Sequence, residues 1–123
     1  MKYMIMTFGD MSGLEGRSTD WIRGMIEFMM RIDVELSETG ELVFQQGLAN
    51  APEAITVQVG KGTRSVARRP VAAPPLAGFW VVDVADEARA IEIAGRISEA
   101  ADARIEVRAC MDAPPDDVLQ QMG

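Results

Sequence analysis

Two short runs in this chain are apolar at nearly every position. In KYMIMTF (2–8), alternation puts Met4, Met6 and Phe8 on one side and Tyr3 and Ile5 on the other, and GFWVVDV (78–84) has the same character. A strand that is apolar on both faces is one covered on both faces. Between these runs the period changes from two to about 3.6. A helix is predicted from Ser18 or Thr19, either able to accept a backbone N–H as cap, with Asp20 favourable in the first turn and Gly40 as the stop. Ile22, Met25, Ile26, Met29 and Leu36 follow its spacing, while Trp21, Phe28, Met30 and Ile32 widen the stripe beyond one core face. That surplus fits a second contact, with a partner chain or a pocket, and equally a helix packed deeply in a small domain.

The rest of the chain is punctuated more tightly. ELVFQQGL (41–48) reads as a short strand and ANAPE as a turn; AITVQVG (54–60) and RSVAR (64–68), joined through Lys61-Gly62-Thr63, read as a β-hairpin. Asp86 caps a second helix whose Ala90, Ile91, Ala94 and Ile97 are expected to face the core. In ARIEVRA (103–109), Ile105 and Val107 point to one face and Arg104, Glu106 and Arg108 to the other. The order is strand, helix, strand, hairpin, strand, helix, strand. Without the hairpin it is βαββαβ, the α+β ferredoxin-like pattern. Both helices then cover one sheet face, and the apolar character of 2–8 and 78–84 on the other face predicts a homodimer packed sheet to sheet, a dimeric α/β barrel. One domain is expected over 1–112, followed by a polar, proline-broken tail over 113–123, with no internal repeat and no linker.

Composition narrows the chemistry. The 123 residues suit one domain, and 48% hydrophobic with 25% charged residues is ordinary for a globular protein. A net charge of −7 lacks the basic footprint of a nucleic-acid or acidic-membrane binder. The lone cysteine, Cys110, excludes an internal disulfide and a multi-cysteine metal site, and with no basic neighbour beyond Arg108 it reads as a structural thiol. No metal and no cofactor is expected. MKYMIMTFGD is too soon broken for a signal peptide, and no run approaches the ~20 apolar residues of a membrane span, so a cytoplasmic protein is expected. Histidine is absent altogether, which removes imidazole as base, activator or ligand and forbids a Cys/His or Ser/His dyad within or between copies.

Few residues remain to carry a site. Asp10 ends the first strand at a loop and is a weak candidate base, against the blander reading of a turn aspartate bonding its own backbone. Glu106 is a second weak catalytic candidate; it shares a strand face with Arg108, and an ion pair lining a dimer interior is the expected role of that couple. Arg68 and Arg69 can grip a carboxylate or phosphate through forked N–H donors, or stand as solvated loop charges. With Arg108 they are the predicted ligand-binding residues. Pro70, Pro74 and Pro75 fix torsions in RPVAAPPL, which is expected to be an ordered, extended strap at the sheet edge. GDMSGLEG has glycines without the spacing of a phosphate-binding loop.

Taken together, MKYMIMTFGD, GELVFQQGLA, AGFWVVDV, ARAIEIAGRI and IEVRACMDAPP make the chain resemble the YCII-related family, and within it the DGPF branch, over about residues 1 to 115. The resemblance implies a ferredoxin-like dimeric α/β barrel. It also implies a loop of the form D-G-P-F-x-E-x-K-E followed by L-x-G-F, for which this chain has RRPVAAPPLAGF. Pro70 stands at the motif's proline and Val71 at its phenylalanine. Arg68 and Arg69 replace the aspartate and glycine, Ala73 falls at the glutamate, and Leu76, Gly78 and Phe79 keep the closing part. The wider family's proposed histidine–aspartate dyad, with lyase-like or hydrolytic chemistry, therefore has neither member here. The expectation is a non-catalytic or degenerate member, a homodimer binding a small ligand between its sheets. The alternatives are a small lyase or isomerase working through carboxylate and arginine, and, as the resemblance implies, a regulatory partner of an extracytoplasmic-function sigma factor.

Overall fold

The computed structural model describes residues 1–9, 11–113 and 120–121. It is an α+β fold in which β1 (Lys2–Phe8), α1 (Thr19–Glu38), β2 (Leu42–Gly47), β3 (Thr56–Gly60), β4 (Thr63–Ala67), β5 (Leu76–Asp83), α2 (Glu87–Ala101) and β6 (Ile105–Ala109) follow one another. Four strands form an antiparallel sheet in the order β2-β5-β1-β6, and β3 and β4 pair only with each other. No helix is long and apolar enough to cross a membrane.

The local signals work as physical chemistry requires. Ser18, not Thr19, caps α1, its hydroxyl accepting from the Trp21 N–H at 3.0 Å. The helix ends where the Thr39 N–H donates back to the Glu35 carbonyl and Gly40 takes a φ of +78°, a conformation that an L side chain resists. Asp86 caps α2 by accepting from the Arg89 N–H at 2.9 Å. The hairpin turns through Lys61 and Gly62 at φ of 51° and 77°, the paired positive torsions that match strand twist.

Parity then sorts the side chains. Tyr3 and Ile5 of β1, with Trp80 and Val82 of β5, face the helices and pack with Val84, with Ile32 and Leu36 of α1, and with Ala90, Ile93, Ala94 and Ile97 of α2. Ile105 and Val107 join this core from β6, as alternation predicts. Two assignments are corrected. Ile91 is 58% exposed while Ile93 is wholly buried, because the α2 stripe runs 90, 93/94, 97 and residue 91 lies off it. In α1, Ile32 is fully buried with Leu36, whereas Ile26, at 50% exposure, faces outward; the core stripe runs through 28/29, 32 and 36. Among the described residues the core holds no buried polar or charged residue. The Trp80 indole is satisfied where it meets the helix layer, donating Nε1–H to Asp33 Oδ1 at 2.7 Å.

The layers are tied at their rims by ion pairs. Arg89 of α2 holds Glu41 through two N–H donors at 2.9 Å each, and Arg96 holds Glu35 of α1 at 3.1 and 2.7 Å. Arg17 lies over the Trp21 ring at 4.1 Å and bonds Asp102 at the end of α2. At Gly78, an added Cβ would sit 3.1 Å from the Gln46 carbonyl oxygen, so this position admits nothing larger without a shift in β2.

Candidate functional site

The sheet face turned away from the helices is built from two rows that follow from strand register. Phe44, Val81, Met4 and Arg108 form one, and Gln46, Phe79, Met6 and Glu106 the other. Phe8, opposite Leu76, extends the face at one end. The Phe44 and Phe79 rings lie 6.0 Å apart, tilted by 45°. The core that the two helices close lies on the other face and contains none of these side chains. The result is an apolar floor with Gln46 on one edge strand and Glu106 and Arg108 on the other. Met6, at its centre, is only 8% exposed, while Phe44 is 53% exposed.

Phe44 reaches this floor through a register shift. Leu42 pairs with Val82 and packs on the core, while Phe44 pairs with Val81 on the open side, because β2 carries a bulge between them. Simple alternation would have placed both on one face. Gln46 and Phe44 were therefore not among the residues picked out by sequence, and only pairing reveals them.

The predicted site residues are not drawn into one cluster. Glu106 and Arg108 share the open face, as predicted, yet no ion pair joins them and both are exposed. Residues two apart on a strand are roughly 7 Å apart, too far for direct contact without bent side chains. Arg68 and Arg69 are exposed at the base of the hairpin, where the Thr56 hydroxyl donates to the Arg69 carbonyl. The strap leading from them is held to the end of β1 by Gly9 N–H donating to the Pro75 carbonyl at 2.8 Å. It is not the extended segment expected: residues 68–69 and 71–74 are successive bends, and Val71 is 88% exposed. Closely spaced prolines fix φ but leave ψ free, so they stiffen a turn as readily as a straight run. Asp10 and most of the 113–123 tail lie outside the described residues. Cys110 is a half-buried free thiol whose N–H bonds the Lys2 carbonyl.

Electrostatics separate this face from the rims. Three carboxyls are held below their ordinary range, all by cationic hydrogen-bond donors: Glu41 by Arg89, Glu35 by Arg96, and Asp83 by the chain's terminal ammonium. Each is thereby made a weaker base, whereas a carboxylate general base working near neutrality needs its pKa raised. The described residues contain no cluster of three or more histidine, cysteine, aspartate or glutamate side chains able to hold a metal.

Two shallow grooves lie elsewhere, on the helix layer. One, of about 430 Å³, runs between α1 and the edge strand β2 and is lined by Asp33, Val34, Ser37, Glu38, Leu42 and Gln45. The other, of about 400 Å³, adjoins it at Met30, Arg31, Val34, Glu35 and Glu38. The sequence signal for them was the surplus of apolar residues on α1, of which Met30 is now seen to face outward at 65% exposure. No protein-family model matches this chain, and no curated protein matches it.

Proposed function

We propose that the protein is a degenerate member of the YCII-related family: a ferredoxin-like domain that pairs sheet to sheet with a second copy and holds a small ligand between the sheets. The observation that carries this reading is the open apolar face. Two rows of four residues, mostly Met, Phe and Val, stand on a sheet whose helices occupy only the other side. A second copy buries such a face by symmetry, each sheet covering the other. The strand order β2-β5-β1-β6, with the hairpin as an insertion between β2 and β5, supports the ferredoxin-like reading.

Binding, not turnover, is the chemistry this face favours. Its polar groups are Gln46, Glu106 and Arg108 at the edges, around an apolar floor. Such a lining orients a small, partly apolar molecule. Arg68 and Arg69, at the hairpin base, supply guanidinium groups where the resemblance implies a carboxylate. The ligand class is accordingly a small organic acid, its anionic end toward arginine.

Light scattering at micromolar concentration should give about twice the 13.4 kDa chain mass. A thermal-shift screen of small organic acids should find stabilisation that is lost in the Arg68→Ala/Arg69→Ala chain. A persistent monomer would remove the inter-sheet site, and equal stabilisation of both chains would show that the two arginines do not bind the acid.

A further inference from the structure

We infer that the hairpin β3–β4 is an arm that docks in the α1/β2 groove of a second copy of the chain. This contact is distinct from the sheet pairing proposed above and does not rest on it.

The hairpin has a face that lacks a partner. Register places Val57 opposite Val66 and Val59 opposite Arg64, and Ile55 stands just before β3. The other side carries Gln58, Ser65, Gly60 and Thr63. Ile55, Val57, Val59 and Val66 are 54%, 55%, 67% and 61% exposed, and neither strand packs extensively on another element. A lone two-stranded hairpin is marginal in water, and one that aligns its aliphatic side chains on a single face is shaped for a surface to lie on.

Charge selects that surface. From Ala54 to Val82 the chain has Lys61, Arg64, Arg68 and Arg69 and no acid, so a net charge of −7 leaves −11 on the rest of the molecule. None of these four cations is in an ion pair among the described residues. The groove along α1 is the complement. Around Val34 and Met30, Asp33, Glu35 and Glu38 outnumber Arg31. Glu35 is already held by Arg96, Glu38 is in no ion pair among the described residues, and the last turn of α1 has no basic residue to balance the negative end of its dipole. Lengths agree as well: Ile55 to Val59 spans ~13 Å of extended chain, and the exposed α1 stripe Ile26, Met30 and Val34, which continues the groove by one turn, spans ~12 Å of helix. With the aliphatic rows in contact, the tip of the arm, bearing Lys61 and Arg64, lies toward Glu38.

Site-directed cross-linking tests the contact directly, using exposed positions that leave the fold intact. In a Cys110→Ser background, chains carrying Val59→Cys and chains carrying Val34→Cys are mixed and mildly oxidised. A covalent pair should form at least ten times faster than between Val59→Cys and Ile91→Cys chains, Ile91 being exposed on α2. In parallel, Arg64→Glu and Glu38→Arg should each slow the 59–34 cross-link several-fold, and combining Arg64→Glu on the arm chain with Glu38→Arg on the groove chain should restore it. A 59–34 rate no higher than the Ile91 control, or charge reversals without effect and without mutual rescue, would overturn the arm contact. The sheet pairing, read by scattering, would be untouched by either result.

Discussion

The two faces of the four-stranded sheet carry similar side chains and live in different surroundings. On one, Ile5, Trp80 and Val82 meet the helices and are at most 7% exposed. On the other, Met4, Phe79 and Val81 are only half-buried and lie outside the core that the helices close. The difference lies in what the chain itself can supply, not in hydrophobicity. Two helices cover one face, and the second face keeps the apolar residues of a buried layer without the layer. Its composition is that of a buried layer, which the sheet pairing proposed above would supply, while the helix-side face is buried by the fold itself.

The sharpest way to break that comparison uses neighbours in sequence. Ile5→Ala deletes a fully buried side chain and should cost about 2–5 kcal/mol in urea unfolding. That cost should not vary with protein concentration, apart from the shift common to all variants of an associating chain. Met4→Ala, one residue away on the open face, should cost less, and its cost should shrink further as the protein is diluted toward monomer. Equal costs for the two at high dilution would mean that the open face is covered by the chain itself.

A smaller effect concerns the seam between sheet and helix. Trp80 spends its one polar group on Asp33, and Asp33→Ala leaves that indole N–H without its acceptor, at a cost of about 1–2 kcal/mol. Asp33→Asn keeps an acceptor oxygen and should recover most of it. If both variants matched the wild type in denaturant midpoint, solvent would be satisfying the indole and the seam would be less dry than its 7% exposure implies.

How much of this was legible in sequence follows from which signals are local. Caps, turns and the two doubly apolar strands are local, and Ser18, Asp86, Gly40 and the Lys61-Gly62 turn could all be read from a few residues. Helix phase was readable only approximately. Ile91 and Ile93 are both isoleucine, and the choice between them depends on the rotation of α2 against β1 and β6, which neighbouring residues do not encode. The bulge in β2 is a further step from the sequence: nothing in LVF announces that Leu42 and Phe44 part company. The candidate site suffered most, because it is made by register across four strands. Glu106 and Arg108 could be paired on one face by alternation, but that Met6 and Phe79 lie beside Glu106 needed strand order. The exposed stripe on α1 was visible as a surplus; that it borders an acidic groove became clear only once β2 lay against it.

The weakest expected effect separates rim from core by pH. Glu41 is held below its ordinary range first by its hydrogen bonds from Arg89, against the opposing effect of burial. A carboxyl whose folded pKa is depressed binds its proton less readily in the folded state than in the unfolded chain. Its contribution is therefore fully present above the unfolded value, 4.5, and is lost as pH falls through the lower folded value. Glu35 and Asp83 are lowered in the same direction by Arg96 and the terminal ammonium, so all three act in one acid window and leave neutral pH flat. Glu41→Gln should lower stability at pH 7 by about 1 kcal/mol or less, the scale of a rim ion pair, and should make the fall below pH 4.5 shallower. Ile5→Ala, by contrast, should shift the acid limb of the pH profile downward without changing its shape, since no carboxyl is buried with it among the described residues. An acid limb in Glu41→Gln as steep as the wild type's would assign the acid sensitivity to the other carboxyls and leave the Arg89 pair a contact of geometry alone.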